Sequence, residues 1–234
     1  MSEKHARPTG GICLLCLTLA LLTGIIWVFA GSGPLFEAEM TRFAPSASTG
    51  WPPQEYPAMA AHIGDYLAGR ADDFQFYLTN PSGESSPCFH DYELIHMADC
   101  RRLIQLDGWV GAICLALALL LFLRLIRHRK EPQTMLAAIH GAGQALWGMS
   151  IIAAALALWA IINFDGLFIT FHHLAFRNDY WLLNPRTDLL IRLMPESMFI
   201  DLGIKGLMAF LLGLALLVAG LLALRRHYKN GAKP

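Results

Sequence analysis

Charge is scarce in this chain. Asp, Glu, Lys and Arg supply only 15% of its 234 residues, where soluble domains carry about 25%. Neither sign is in excess, since 18 basic residues meet 18 acidic ones, so the basic face that a nucleic-acid partner requires is missing. Five cysteines are too few for a disulfide-dense secreted scaffold. Motif signatures are lacking too: there is no Gly-x-Ser-x-Gly elbow, P-loop, Gly-x-Gly-x-x-Gly or His-Glu-x-x-His. A hydrolase built on an activated serine is therefore disfavoured. What the chain does have is apolar mass, 55% hydrophobic residues with a mean hydropathy of +0.44. That content excludes disorder and predicts an integral membrane protein forming one domain over 1–234.

Four stretches are long and apolar enough to cross a bilayer core, which takes about 20 helical residues. They lie at about 11–30, 108–126, 144–164 and 205–224, and predict an all-α bundle of four transmembrane helices. The first also resembles a signal peptide, because Lys4 and Arg7 precede a Leu-rich run. Its run is too long for a signal core and no Ala-x-Ala follows, so a retained span is expected.

The distribution of charge sets an orientation. Segments before the first span, between the second and third, and after the fourth hold ten basic and two acidic residues, counting Arg124, which snorkels from the inner end of the second span. The other two segments, about 31–107 and 165–204, take nearly all the rest, eight basic and sixteen acidic with Lys205 and Asp107 at their margins. The positive-inside rule then predicts cytoplasmic termini and two extracytoplasmic loops, a long one and a shorter one. The long loop opens with a Pro/Ser/Gly-rich stretch over 31–50. Tyr56–Leu67 reads as a short helix, and 80–88 reads as turns. From Tyr92 to Ile104 the pattern is helical again. Leu94, Met97, Arg101 and Ile104 share one side, His96, Asp99 and Leu103 another, in a helix that runs into the second span.

Two histidine clusters stand out in these loops. One is His96 with Asp99 three residues later. The other is the run Phe171-His172-His173-Leu174-Ala175-Phe176, followed by Asn178, Tyr180, Trp181 and Asp188. His96 precedes the second span by about thirteen residues and His172 follows the third by about eight, distances that allow the imidazoles to meet. Ionisable groups near a membrane are paired or functional, and imidazole, with a reference pKa of about 6.5, suits proton transfer at neutral pH. A loop histidine is more often merely solvated, and Tyr180 and Trp181 also read as interface anchors. Arg101 and Arg102 suit either a substrate carbonyl or lipid headgroups.

The cysteines divide by position. Cys13, Cys16 and Cys114 fall in spans and read as apolar filling. Cys88 and Cys100 fall in the long loop, where a disulfide is possible, and a Cys100 thiol activated by His96 one turn away is a weaker alternative.

On Glu93, His96, Met97 and Asp99, and on Phe171, His172, Leu174 and Phe176 continued by Asn178, Asp179, Tyr180, Trp181, Asn184, Pro185, Asp188 and Pro195, the sequence resembles the lipoprotein intramolecular transacylase family of bacterial inner-membrane proteins. The resemblance implies an acyltransferase of lipoprotein modification. Such an enzyme moves a fatty acyl chain from the diacylglyceryl group of a lipoprotein's N-terminal cysteine to that cysteine's α-amino group, giving the lyso-form. Carried over by position, His96 and His172 are the catalytic pair, with His173 the neighbour from which His172 must be told apart. Glu93, Asp99, Arg101, Asn178, Tyr180, Trp181 and Asp188 are candidates for supporting the ring or binding substrate. Diacylglyceryl-modified lipoproteins and membrane lipid are the implied partners, with no cofactor and no metal. Two other readings compete. His96, Asp99, His172 and His173 could instead ligate a metal in a membrane hydrolase, or the long loop could dock a partner in a non-enzymatic envelope assembly factor. A transporter is disfavoured, because no span carries a mid-membrane charge.

Overall fold

The structure, a computed structural model, describes residues 1–79 and 84–231. Nine α-helices are found among these residues, and four of them are long and apolar enough to cross a membrane: α1 (Glu3–Ala30), α5 (Asp91–Ile126), α6 (Pro132–Ile162) and α9 (Glu196–Gly231). All four contain the expected spans, with one adjustment at the end of the third. There α6 stops at Ile162, and Asn163 accepts a 2.9 Å bond from the Gly166 amide to start α7 (Phe164–Ala175). The side-chain oxygen thus caps a new helix in place of two more residues of span.

Within the single-domain expectation for 1–234, the chain's contacts fall into two compact units. The first holds Met1–Gly24, Trp109–Ile169 and Met208–Pro234, which include most of the apolar helical length. Small residues let its backbones approach closely. A Cβ at Gly10 would stand 2.0 Å from the Ala138 carbonyl oxygen, and one at Gly141 would stand 1.8 Å from that of Arg7. Any side chain there would push α1 and α6 apart, as in other membrane helix pairs with small residues at the contact. Cys13, Cys16 and Ala118 are buried together with Cys114 packed beside them, the filling role expected of these cysteines.

The second unit, Ile25–Gly108 with Thr170–Leu207, is where the histidine segments lie. Its Pro/Ser/Gly-rich stretch is ordered into α2 (Gly33–Phe43) and α3 (Ser46–Thr49), helices that its composition does not announce. Ser32 caps α2 by accepting from the Leu35 amide, and Pro34 fits the first turn, where no N–H is needed. The expected helix at Tyr56–Leu67 is present as α4. Phe36 and Met40 of α2, Trp51, and Met59 and Ile63 of α4 are all buried in one core with Phe74, Phe89 and Met97. Of the turns expected over 80–88, residues 80–83 lie outside the described residues. Ser85–Pro87 instead forms β2, paired antiparallel with β1 (Tyr77–Thr79). Leu189–Leu193 forms the short α8, with Leu193 fully buried.

Candidate active site

His96 owes its position to the start of α5. Glu93 reaches back to accept from the His90 amide at 2.8 Å, the return bond of a capping box, which fixes the first turn. Leu94, Met97 and Ile104 then pack on the core, as their helical spacing predicts, and Cys100 packs with them. His96 and Asp99 fall on the neighbouring flank. His172 arrives in the last turn of α7, which the Phe176 amide closes by donating to the His172 carbonyl at 2.8 Å.

The two imidazoles meet. Their ring centroids are 6.2 Å apart with planes 32° from parallel, and the residues are only 9% and 7% exposed. Aromatic rings wall them in. Phe176 lies 5.2 Å from His96 and 5.4 Å from His172, and Trp181 lies 4.8 Å from His172. His173 is exposed and presents its ring edge-on to Trp181 at 5.1 Å. Of the two adjacent histidines, His172 is the one brought to His96.

Three polar ties hold the segments together, and all use motif residues. Glu93 is fully buried, and its second carboxyl oxygen accepts from the Leu190 amide at 2.8 Å. Asp99 accepts from Asn178 Nδ2 at 2.8 Å. Asp188, 2% exposed, accepts from the Tyr92 hydroxyl at 2.7 Å, and also from Thr187 and the Asn184 amide. Burial works against the Asp188 carboxylate, but these hydrogen bonds outweigh it and bring its pKa below the ordinary value. The partner hydroxyl of Tyr92 is pushed up to about 12, first by that bond. Neither Glu93 nor Asp99 makes a hydrogen bond to the His96 ring, as the notion of a ring-orienting carboxylate requires. Their carboxyls are engaged by backbone and amide donors instead. Tyr92 and Phe176 contribute to the site besides the expected residues; a tyrosine in the first turn of α5, beside Glu93, is the one signal of Tyr92 in the sequence.

The electrostatics favour an unprotonated His96. His96 lies in the polar opening turns of α5, well before the apolar stretch at 108–126. Its pKa is lowered to about 4, chiefly by burial and then by His172, with Asp99 acting in the opposite direction. Because the folded value lies below the unfolded one, the unfolded chain binds the extra proton between about 6.5 and about 4. This group's contribution to stability is therefore lost as pH falls through that window. Titration of side-chain-labelled histidine by NMR should give His96 a midpoint near 4; a midpoint near 6.5 would contradict the burial argument.

Several expected residues have other employment. The Arg101 guanidinium lies 4.8 Å over the Tyr66 ring and donates to the Asp72 carbonyl at 3.3 Å. Tyr180 is 44% exposed, whereas Trp181 is only 7% exposed, which corrects its reading as an interface anchor. Cys88 and Cys100 are both free thiols, so the disulfide considered for them does not form here. Cys100 turns to the histidine instead, its Sγ 3.6 Å from His96 Nε2. Burial, then Asp99, pushes that thiol up to about 12, so proton transfer from Cys100 to His96 is strongly uphill and Cys100 is a poor nucleophile. Among the described residues, no three His, Cys, Asp or Glu side chains are gathered as metal ligands would be.

The sequence model of the family described as lipoprotein intramolecular transacylase Lit matches residues 11–199, a stretch that contains both histidine segments. The chain belongs to the Lit family. It is thus an acyltransferase of the intramolecular transacylase class and a multi-pass membrane protein. Solved Lit structures share the fold. The membrane-integral Lit from Bacillus cereus is 18% identical, with a TM-score of 0.74 over 98% of both chains. Two variants of that protein, in which a histidine is replaced by arginine or alanine, give TM-scores of 0.72 and 0.69 at the same identity. They cover 97% of this chain, and 95% and 96% of their own. No curated protein sequence matches.

Proposed function

We propose that this Lit family member moves an acyl chain from the diacylglyceryl group of a lipoprotein's N-terminal cysteine to the α-amino group of the same cysteine, with His96 and His172 handling the protons. The carrying observation is the approach of these rings, 6.2 Å between centroids, from two segments far apart in the chain. An ammonium of pKa about 8 attacks an ester only as the free amine. Once the N–C bond starts to form, that nitrogen becomes strongly acidic, and even a ring as weakly basic as His96 can take its proton. Asp99 favours the resulting imidazolium electrostatically, as its effect on His96 indicates. His172 gives a proton to the departing glyceryl oxygen and recovers one from the neighbouring His96 imidazolium. One proton leaves nitrogen and one reaches oxygen, so the transfer consumes none overall.

Because ester and amine belong to one substrate, holding them in contact supplies the reactivity that other acyltransferases obtain from a covalent intermediate. Glu93, Asp99, Asn178 and Asp188 act by holding the histidine segments together. The charge pattern supports cytoplasmic termini and a site at the extracytoplasmic face, in a bacterial inner membrane as the family resemblance implies.

Mass spectrometry of lipoprotein N-terminal peptides from cells with and without this protein tests the reading. N-acyl, S-monoacylglyceryl cysteine is expected only where the protein is expressed. An unchanged diacylglyceryl cysteine in both would overturn it.

A further inference from the structure

Trp181 carries a polar group that the foregoing chemistry leaves unused. Its side chain is 7% exposed, and Nε1 is buried with no hydrogen-bond partner among the described residues. A buried donor without an acceptor is rare and unfavourable, and points to strain or to a role in catalysis. The same indole lies 4.8 Å from His172, the ring assigned to the leaving oxygen. Phe176, packed against both histidines, lowers the local dielectric, where a single hydrogen bond to an anion is strong.

We propose that the indole N–H of Trp181 is the donor that holds the oxyanion of the tetrahedral adduct. The inference rests on the acyl-transfer reading and supplies the part that reading lacks. As the amine adds to the ester carbon, the carbonyl π pair moves onto oxygen, and that oxygen becomes the acceptor Trp181 has been without. When the pair returns, the carbon–oxygen bond to glycerol breaks and His172 delivers its proton. Indole is too weak an acid to give up its own proton, so Trp181 stabilises the charge without changing the proton balance.

The test uses full-length protein in lipid micelles, a synthetic diacylglyceryl-cysteinyl peptide and two unreactive analogues. One analogue is a phosphonate carrying a tetrahedral anion at the acyl carbon; the other is a diether with no carbonyl. Trp181→Phe keeps an aromatic ring but no N–H. It should lower kcat by about 10²–10³-fold while KM moves little. Phosphonate binding should weaken by a similar factor and diether binding should not change. Trp51→Phe is the control, since Trp51 has a buried, unpartnered Nε1 of its own in the core beside Phe76; it should leave the phosphonate-to-diether ratio unchanged.

An unaltered kcat, or equal losses for both analogues, would overturn the proposal. Should Trp181→Phe not fold, the wild-type indole N–H signal in ¹⁵N NMR decides. It should move downfield with phosphonate and not with diether, and no movement refutes the role. If histidine variants are inactive while Trp181→Phe turns over normally, only this inference fails. If the histidine variants turn over normally, the acyl-transfer mechanism itself is wrong.

Discussion

Replacement of His96 or His172 by alanine is expected to lower the rate of transfer by at least about a hundredfold each. General acid–base groups contribute about 10²–10⁴-fold, and each of these rings serves one of the two proton transfers that the reaction cannot avoid. The double variant should be little slower than the worse single one. Groups that act as a unit lose most of their combined effect when either is removed. His96 is buried, so alanine also leaves a cavity there; His96→Gln, which fills more of the space but has no basic nitrogen, separates packing from chemistry. It should melt close to wild type and still be slow. The measurement is the ratio of lyso-form to diacyl peptide by mass spectrometry at matched levels of folded protein. Wild-type ratios in either single variant would refute the assignment. A metal-dependent reaction would show itself differently, through loss of transfer on chelation in the wild type.

Glu93→Ala should have the largest effect on stability. The Glu93 carboxyl group is fully buried and accepts from two backbone amides, those of His90 and Leu190. Each orphaned amide costs about 1–3 kcal/mol, and the lost side chain leaves a hole besides. The sum is a large share of the about 5–15 kcal/mol that holds a typical protein folded. Glu93→Gln keeps one oxygen but turns an NH₂ toward the other donor, so it should be only partly better. Both variants should lose transfer activity along with stability, because one amide fixes the helix start below His96 and the other belongs to the segment that follows His172. Thermal unfolding in micelles, read beside turnover, checks this. A Glu93→Ala protein melting within a degree or two of wild type would show that the carboxyl is not the tie described here.

Much of the architecture was legible beforehand. Hydrophobic length is local, so each span could be recognised from its own residues, and the four long helices lie where that length predicts. The helix from Asp91 into the second span was equally visible, because Leu94, Met97 and Ile104 repeat at helical spacing. The order within 31–50 was hidden. Ser, Pro and Gly there suit caps and turns as readily as short helices, and what orders them is burial of Phe36, Met40 and Trp51 against residues that come later in the chain. The pairing of Tyr77–Thr79 with Ser85–Pro87 was missed because three-residue strands carry no usable alternation.

The site divides along the same line. The sequence alone determined which residues are chemically able to act: two histidine segments, their carboxylates and the aromatic residues around the second. Only the tertiary structure decided which of them meet. It brought His172 to His96 and left His173 at the surface. It engaged Glu93, Asp99 and Asp188 in tying segments together, and buried the Trp181 indole without an acceptor. Side-chain chemistry and helical period are properties of a residue and its near neighbours. Distance between residues remote in sequence is set by packing, and so are the burial that shifts a pKa and the partner that a buried donor finds or lacks.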